Sequence, residues 1–510
     1  MGRQFLQHGA SHPGDLVAVE DTLDDQVTVG PELSTEVERR LVGDRRKEGG
    51  QWAHRLRLSS LSRLWSTVSF LHPAVHRTLD WDEAFAALLR RLENPAADVD
   101  AETAALLGAL GDPSTRLEPT DHPHRSRTVD VREPRLHQPW PGLAVVVAAE
   151  FDAWHLDPGL PARLTMLMAR GAGAGVLVLD LRDASWWFGR HLPAALGSLL
   201  SSDVTLPSER FRFHSGWASE RADSSGGLFS GSVVKDAEVV PATGPAAASR
   251  PRLVLVVNER SGFALRVAAG LTAAGQAELV VAGPPFEPGS SVTVPLWPGT
   301  RARVRTSEWL DGGGRVGLPL AARVDALLLS PADVARAAIG TLDSPRAEGQ
   351  AARDRPAPAP PVPELVRPPV TARRPWDGSP AQRLLGLVRL RGVLEEFFAY
   401  PELLGADWDG AVPALADAFA SAGGQLEFCR AVARVLQLLP DTHARVRSPV
   451  VEGELGLAHP AVRAGTVEGV TAVLYSAVPG IAAGDVIVAI DGQPVGARRA
   501  ALAPAGPAAA

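Results

Sequence analysis

Apolar residues recur at two different periods along this chain, and the change of period divides it. From Leu58 onward, Leu61, Leu64, Trp65 and Val68 fall at the spacing of one face of an amphipathic helix. A second helix is predicted after Asp80, where Glu83 completes a capping box and Phe85, Leu88, Leu89 and Leu92 form the apolar stripe. A third ends near Leu110 and leads into the loop Asp112-Pro113-Ser114-Thr115-Arg116. After Pro139 the pattern becomes short unbroken apolar runs separated by helical stretches: GLAVVVAAEF, GVLVLDLR, RLVLVVNER and AELVVAGPP. Runs of this kind predict strands covered on both faces, hence a largely parallel sheet in an α/β arrangement.

Between Leu342 and Ser379 the run RPAPAPPVPELVRPPV removes backbone donors and fixes φ, which predicts an extended linker. Beyond it the helical pattern returns with the same landmarks in the same order. Asp80-Trp81-Asp82 is echoed by Asp407-Trp408-Asp409, and the Asp112 to Arg116 loop by Asp441-Thr442-His443-Ala444-Arg445, so two copies of one helical unit are expected. The segment VEGVTAVLYSAVPGIAAGDVIVAIDGQPV then reads as strands around a glycine-rich turn, ending in the hairpin signal Asp491-Gly492. The expected layout is a polar arm (1–50), a helical domain (51–120), an α/β domain (121–341), the linker (342–379), a second helical domain (380–447), a small β domain (448–497) and a low-complexity tail (498–510).

Composition removes several function classes. A chain of 510 residues exceeds one core and predicts several domains. The formal charge of −7 without a basic, aromatic-interleaved stripe argues against nucleic acid as a partner. Cys429 stands alone in an apolar helical pattern, so neither a disulfide framework nor a cysteine zinc site is expected, and the thiol reads as buried and inert. Asp121-His122-Pro123-His124 offers two histidines without a third ligand and reads as a polar loop. No metal or other cofactor is expected. The N-terminus lacks a signal-peptide pattern and no apolar run reaches membrane-spanning length, from which a cytoplasmic location without a membrane span is expected.

Several of these segments carry a resemblance. SRLWSTVSFLHP followed by LDWDEA, and PGIAAGDVIVAIDGQPV near the end, resemble the opening helical domain and the PDZ domain of tail-specific, C-terminal-processing serine peptidases, especially their tricorn-like branch. VLVLDLRDASWW, LVLVVNERSGFALRVAAGL and LVVAGPPFEPGSSV occupy the places of that family's glycine turn, nucleophile turn and base loop. The resemblance implies a ClpP/crotonase-like α/β domain with a helical N-terminal domain, a second helical domain and a PDZ-like β domain. It also implies serine-type hydrolysis of unstructured peptides or protein C-termini.

Serine peptidase chemistry needs a hydroxyl nucleophile, a base to take its proton and donors aimed at the oxyanion. The matched nucleophile position holds Phe263, which has no lone pair to attack with. Ser261 lies two residues upstream and would serve only if the register slips. The lysine expected as base falls among Glu287, Pro288 and Gly289, and the alternative histidine of the first helical copy is replaced by Ser114, a hydroxyl far too weak a base. Trp186 and Trp187 replace the paired glycines. The second copy keeps His443, beside Thr442, at the family's histidine position, but no nucleophile strand follows it. In the PDZ-like segment the resemblance implies a carboxylate-binding loop including Gly453, Gly456 and Leu457. The expected function is therefore a serine peptidase fold without catalytic activity. Two rivals stay open: a peptide-recognition scaffold acting through the PDZ-like domain, and a fragment of a longer active peptidase.

Overall fold

The structure, a computed structural model, describes residues 51–75, 79–94, 96–120, 134–147, 159–184, 186–214, 230–243, 250–310, 322–324, 330–343, 378–404, 408–441, 444–455 and 461–502. The chain divides into two compact units, Met1–Leu56 and Arg57–Ala510. The sheets and the helices that cover them lie in the second. The Asp121 to His124 loop, the proline run and residues 503–510 of the tail lie outside the described residues, whereas residues 498–502 of the tail are helical.

Among the described residues, three helices come first: α1 (Gln51–Leu71), α2 (Trp81–Leu92) and α3 (Val99–Gly108). Asp80 caps α2 by accepting from the Glu83 N–H at 3.1 Å, as its place before the apolar stripe predicts. Strand β1 (Arg116–Pro119) follows, then β2 (Arg135–Trp140) and β3 (Leu143–Val147). The α/β alternation then runs α4 (Leu160–Gly171), β4 (Val176–Asp180), α5 (Trp186–Leu196), β5 (Val204–Thr205), β6 (Ser208–His214), β7 (Ser230–Lys235), β8 (Val239–Val240), β9 (Arg252–Val257), α6 (Gly262–Ala273) and β10 (Glu278–Ala282). Strands β11 (Ser291–Trp297), β12 (Thr300–Arg305), β13 (Ser307–Leu310) and β14 (Ala322–Val324) precede α7 (Pro331–Leu342).

The central sheet has the order β14-β10-β9-β4-β3-β2, parallel from β14 through β3 and antiparallel at the β2 edge. Side-chain alternation splits its strands between two cores. Leu177, Leu179, Leu253, Leu255 and Val257 meet α4, α5 and α6, while Val178, Val254 and Val256 meet Val334, Ala335 and Ala338 of α7. Burial on both faces is why these strands read as continuous apolar runs. A second sheet, β1-β12-β11, lays Val294, Leu296, Ala302 and Val304 against the helices, and a third, β13-β6-β7, flanks it.

After the linker come α8 (Pro380–Phe397), α9 (Trp408–Ala414), α10 (Ala416–Ala420) and α11 (Gln425–Leu436). The apolar stripe through Trp408, Val412 and Phe419 is thus divided between two short helices, with Pro413 near the break. The helices of residues 57–108 and 380–441 bury their apolar faces in a single core: Leu64, Trp65, Phe85 and Leu88 pack with Leu385, Val388, Val412 and Phe419. Gly392 permits the close crossing, because a Cβ there would lie 2.9 Å from Ser66 Cβ and 3.2 Å from the Trp65 ring. Ion pairs join the two segments in both directions. Arg63 of the first binds Asp409 of the second at 2.6 Å, and Arg389 of the second binds Asp82 of the first at 3.2 Å.

The C-terminal segment comprises α12 (Pro449–Leu455), the hairpin β15 (Val462–Val467) and β16 (Val470–Ser476), the short pair β17 (Ala489–Ile490) and β18 (Gln493–Pro494), and α13 (Val495–Leu502). Asp491 at φ 52° and Gly492 at φ 77° make the left-handed turn that an Asp-Gly pair favours. Among the described residues no helix is long and apolar enough to cross a membrane.

Candidate functional site

The loops at the carboxyl ends of β4, β9 and β10 meet the loop after α3, in the crevice position where open α/β sheets carry their sites. After β4, Asp180 is held by Arg182 at 2.8 Å, and Asp183 turns the chain at φ 55°. Its N–H donates to Asn258 Oδ1 at 3.1 Å, Asn258 Nδ2 donates back to Asp183 Oδ1 at 3.1 Å, and Arg260 adds an ion pair at 2.6 Å. Helix α5 begins at Trp186; the side chains of Trp186 and Trp187 lie outside the described residues.

After β9 the chain makes a tight turn into α6. Ser261 is fully buried at its start; its hydroxyl accepts from the Asn258 N–H at 2.8 Å and donates to Asn258 Oδ1 at 3.1 Å. Both bonds close the turn, as short polar residues commonly do. Gly262 takes φ 53°, and Phe263, in the first turn of α6, enters the core. The Arg190 guanidinium lies 4.8 Å from the Phe263 ring centroid and that of Arg266 lies 5.8 Å from it, both within cation–π range. Gly189 makes this packing possible, since a Cβ there would stand 2.5 Å from the Ala264 nitrogen.

After β10 the loop of Glu287, Pro288 and Gly289 passes over the helical domain's closing loop. Ser114 Oγ donates to the Glu287 carbonyl at 2.9 Å and accepts from the Glu287 N–H at 2.8 Å. The two places that the resemblance gives to a base are therefore bonded to each other, by a hydroxyl and a backbone. Arg116 of the same loop grips Glu259 with two hydrogen bonds, at 2.8 and 2.7 Å, fastening the turn after β9 to the helical domain. Gly289 has φ 147°, and a Cβ on it would meet the Ser307 carbonyl oxygen at 2.3 Å.

Beneath this constellation lies a buried network that sequence reasoning missed. His72 Nδ1 accepts from the Ala74 N–H at 3.3 Å, so Nε2 carries the proton and donates to Asp112 Oδ2 at 2.9 Å. Arg305 Nε reaches the same oxygen at 2.7 Å, and Thr115 Oγ1 at 3.2 Å. Burial lowers the His72 pKa against the opposing pull of Asp112. Burial alone would raise Asp112, but the hydrogen bond from His72 and the charge and hydrogen bond of Arg305 outweigh it and hold the carboxyl well below the usual range. A fully buried imidazole committed on both nitrogens is a structural histidine. Its only sequence signal was its place in the motif that ends Leu71-His72-Pro73.

His443 and Thr442 lie outside the described residues, as do Gly456 and Leu457; Gly453 is exposed within α12. Cys429 is a half-buried free thiol. Among the described residues no group of three or more histidine, cysteine or acidic side chains could hold a metal. At the four joined loops the hydroxyls of Ser114 and Ser261 serve backbone and side-chain bonds, and Asp180, Asp183 and Glu259 face guanidinium groups. Chemically, the arrangement positions loops.

No family model and no curated protein sequence matches the chain. Among solved structures it is similar to a lipoprotein from Streptococcus agalactiae, at 12% identity and TM-score 0.31, over 55% of this chain and 94% of that one. It is also similar to the photosystem II D1 C-terminal processing protease, at 18% identity and TM-score 0.23, over 40% of this chain and 47% of that one. Mature CPAF is matched at 13% identity and TM-score 0.25, over 42% of this chain and 53% of the other. The chain thus spans about half the length of the last two proteins.

Proposed function

We propose that this chain is a member of the tail-specific serine peptidase family that does not hydrolyse peptides. One observation carries the reading. Phe263, at the position matched to the nucleophile, is a core residue under two guanidinium groups, and the nearby Ser261 hydroxyl is engaged with Asn258. No general base can act on a phenyl ring, and a guanidinium stays protonated at any working pH. The bond between Ser114 and the Glu287 backbone supports the same reading, because it closes the space between the two positions matched to a base. Purified protein incubated with casein or unstructured peptides is expected to give no cleavage products. Turnover that disappears in Ser261→Ala would overturn the proposal.

A peptide-recognition role for residues 448–497 is favoured by a different observation. Val470, Leu474 and Tyr475 of β16 and Val486 and Val488 just before β17 are exposed, apolar surface of the kind that marks interaction sites. Calorimetric titration with C-terminal peptides tests it, and a flat titration at millimolar peptide removes it.

A further inference from the structure

Strand β12 reads Thr300-Arg301-Ala302-Arg303-Val304-Arg305, and its alternation gives the β1-β12-β11 sheet two unlike faces. Ala302 and Val304 lie in the helical core, while the arginines stand on the opposite face. Across the ladder Arg303 is opposite Arg116 and Arg301 is opposite Glu118 on β1; on β11 their opposites are the uncharged Thr293 and Pro295. Glu259 reaches this face from the turn after β9. Leaving aside Arg305, which is committed to Asp112, three guanidinium groups share two carboxylates.

The sharing is unequal. Arg116 takes the close contacts, 2.7 Å to Glu259 and 3.0 Å to Glu118. Arg301 is left with Glu118 at 3.3 Å and Arg303 with Glu259 at 3.4 Å. The Nε atoms of both Arg301 and Arg303 are buried without a hydrogen-bond partner among the described residues, yet their side chains remain 26% and 22% exposed. A buried charged donor without an acceptor costs more than the mean hydrogen bond contributes, so two on one strand face, two residues apart, are unusual. The two partly exposed guanidinium groups carry one excess positive charge over the carboxylates they share, which suits an oxyanion that can accept at two oxygens.

We infer that the arginine face of β12, built by Arg301 and Arg303, binds a carboxylate or phosphate group. The inference does not depend on whether the chain cleaves peptides, since it rests on the β12 ladder and not on Ser261 or Phe263.

The test is thermal unfolding and calorimetry of the full chain with inorganic phosphate and, separately, glutarate, against sodium chloride of equal ionic strength. A saturable rise in the unfolding midpoint is expected with at least one of the two anions and not with chloride; the anion that saturates at lower concentration identifies the source of the oxyanion. Affinity should fall about tenfold or more in Arg301→Gln and Arg303→Gln, the loss of one charge-assisted bond. It should persist in Arg336→Gln, a change at an exposed arginine of α7. If a glutamine variant does not fold, Arg303→Lys keeps the charge without the fork and should still weaken binding. A rise of equal size in chloride, or unchanged affinity in the folded Arg301 and Arg303 variants, overturns the inference.

Discussion

Ser114 is clamped to Glu287: its single hydroxyl donates to the Glu287 carbonyl and accepts from the Glu287 amide, joining the loop after α3 to the loop after β10. Replacement by alanine leaves both backbone groups without that partner. Ser114→Ala should therefore cost about 1–3 kcal/mol of unfolding free energy, read from the urea midpoint at unchanged slope. A midpoint equal to wild type would show that the clamp is inert.

Phe263→Ser places a hydroxyl where the resemblance expects the nucleophile. It should cost about 3–5 kcal/mol, as large core truncations do, and should not create hydrolysis. Arg190 and Arg266, which face the ring, cannot accept a proton. Measurable turnover of an unstructured peptide by this variant would contradict the account of the site.

Acid should weaken the fold in two stages of the same sign. His72 has a folded pKa below its unfolded value of about 6.5, so below that pH the unfolded chain takes up a proton that the folded chain refuses, and stability falls. His214, lowered by burial and by Arg212, adds to the same slope. Asp112 keeps its full contribution above its unfolded pKa of about 3.9 and loses it as pH falls toward its depressed folded value. His72→Gln removes one titrating group, so its melting temperature should fall less than that of wild type between pH 7 and pH 5. Equal falls would exclude His72 as a contributor.

The ion pairs of the two helical segments, residues 57–108 and 380–441, divide by burial. Arg63 and Asp409 are 43% and 63% exposed, so Arg63→Ala should change stability by no more than about 1 kcal/mol. Arg391 is 2% exposed and pairs with Glu395 and Asp409 of its own segment while bonding Ser59 of α1. Arg391→Ala should cost about 3–5 kcal/mol. Similar losses in the two variants, measured by denaturant unfolding, would refute this division.

Legibility in the sequence depended on range. The strands β3, β4, β9 and β10 were legible because each is a local apolar run, and α2 because its cap and stripe are local too. The matching of Phe263, Ser114 and Glu287 to the family's site positions rests on motif order, which does not reveal that Ser114 and Glu287 touch. The His72, Asp112 and Arg305 network was not legible, because its bonds span 40 and 193 positions and none of the three residues is unusual where it stands. The arginine alternation of β12 was visible in the letters, but its meaning depends on which face the helices cover. Nor could periodicity say whether the two helical copies would share a core: a stripe reveals that a face is buried, not what buries it.

That shared core bears on biosynthesis. The helices of residues 57–108 leave the ribosome long before α8 and α11, with which they pack, so their apolar faces must wait while the whole intervening α/β portion is translated. Arrested nascent chains ending before Pro380 should hold these helices in a protease-sensitive form, and chaperone demand should concentrate on the N-terminal third of the polypeptide.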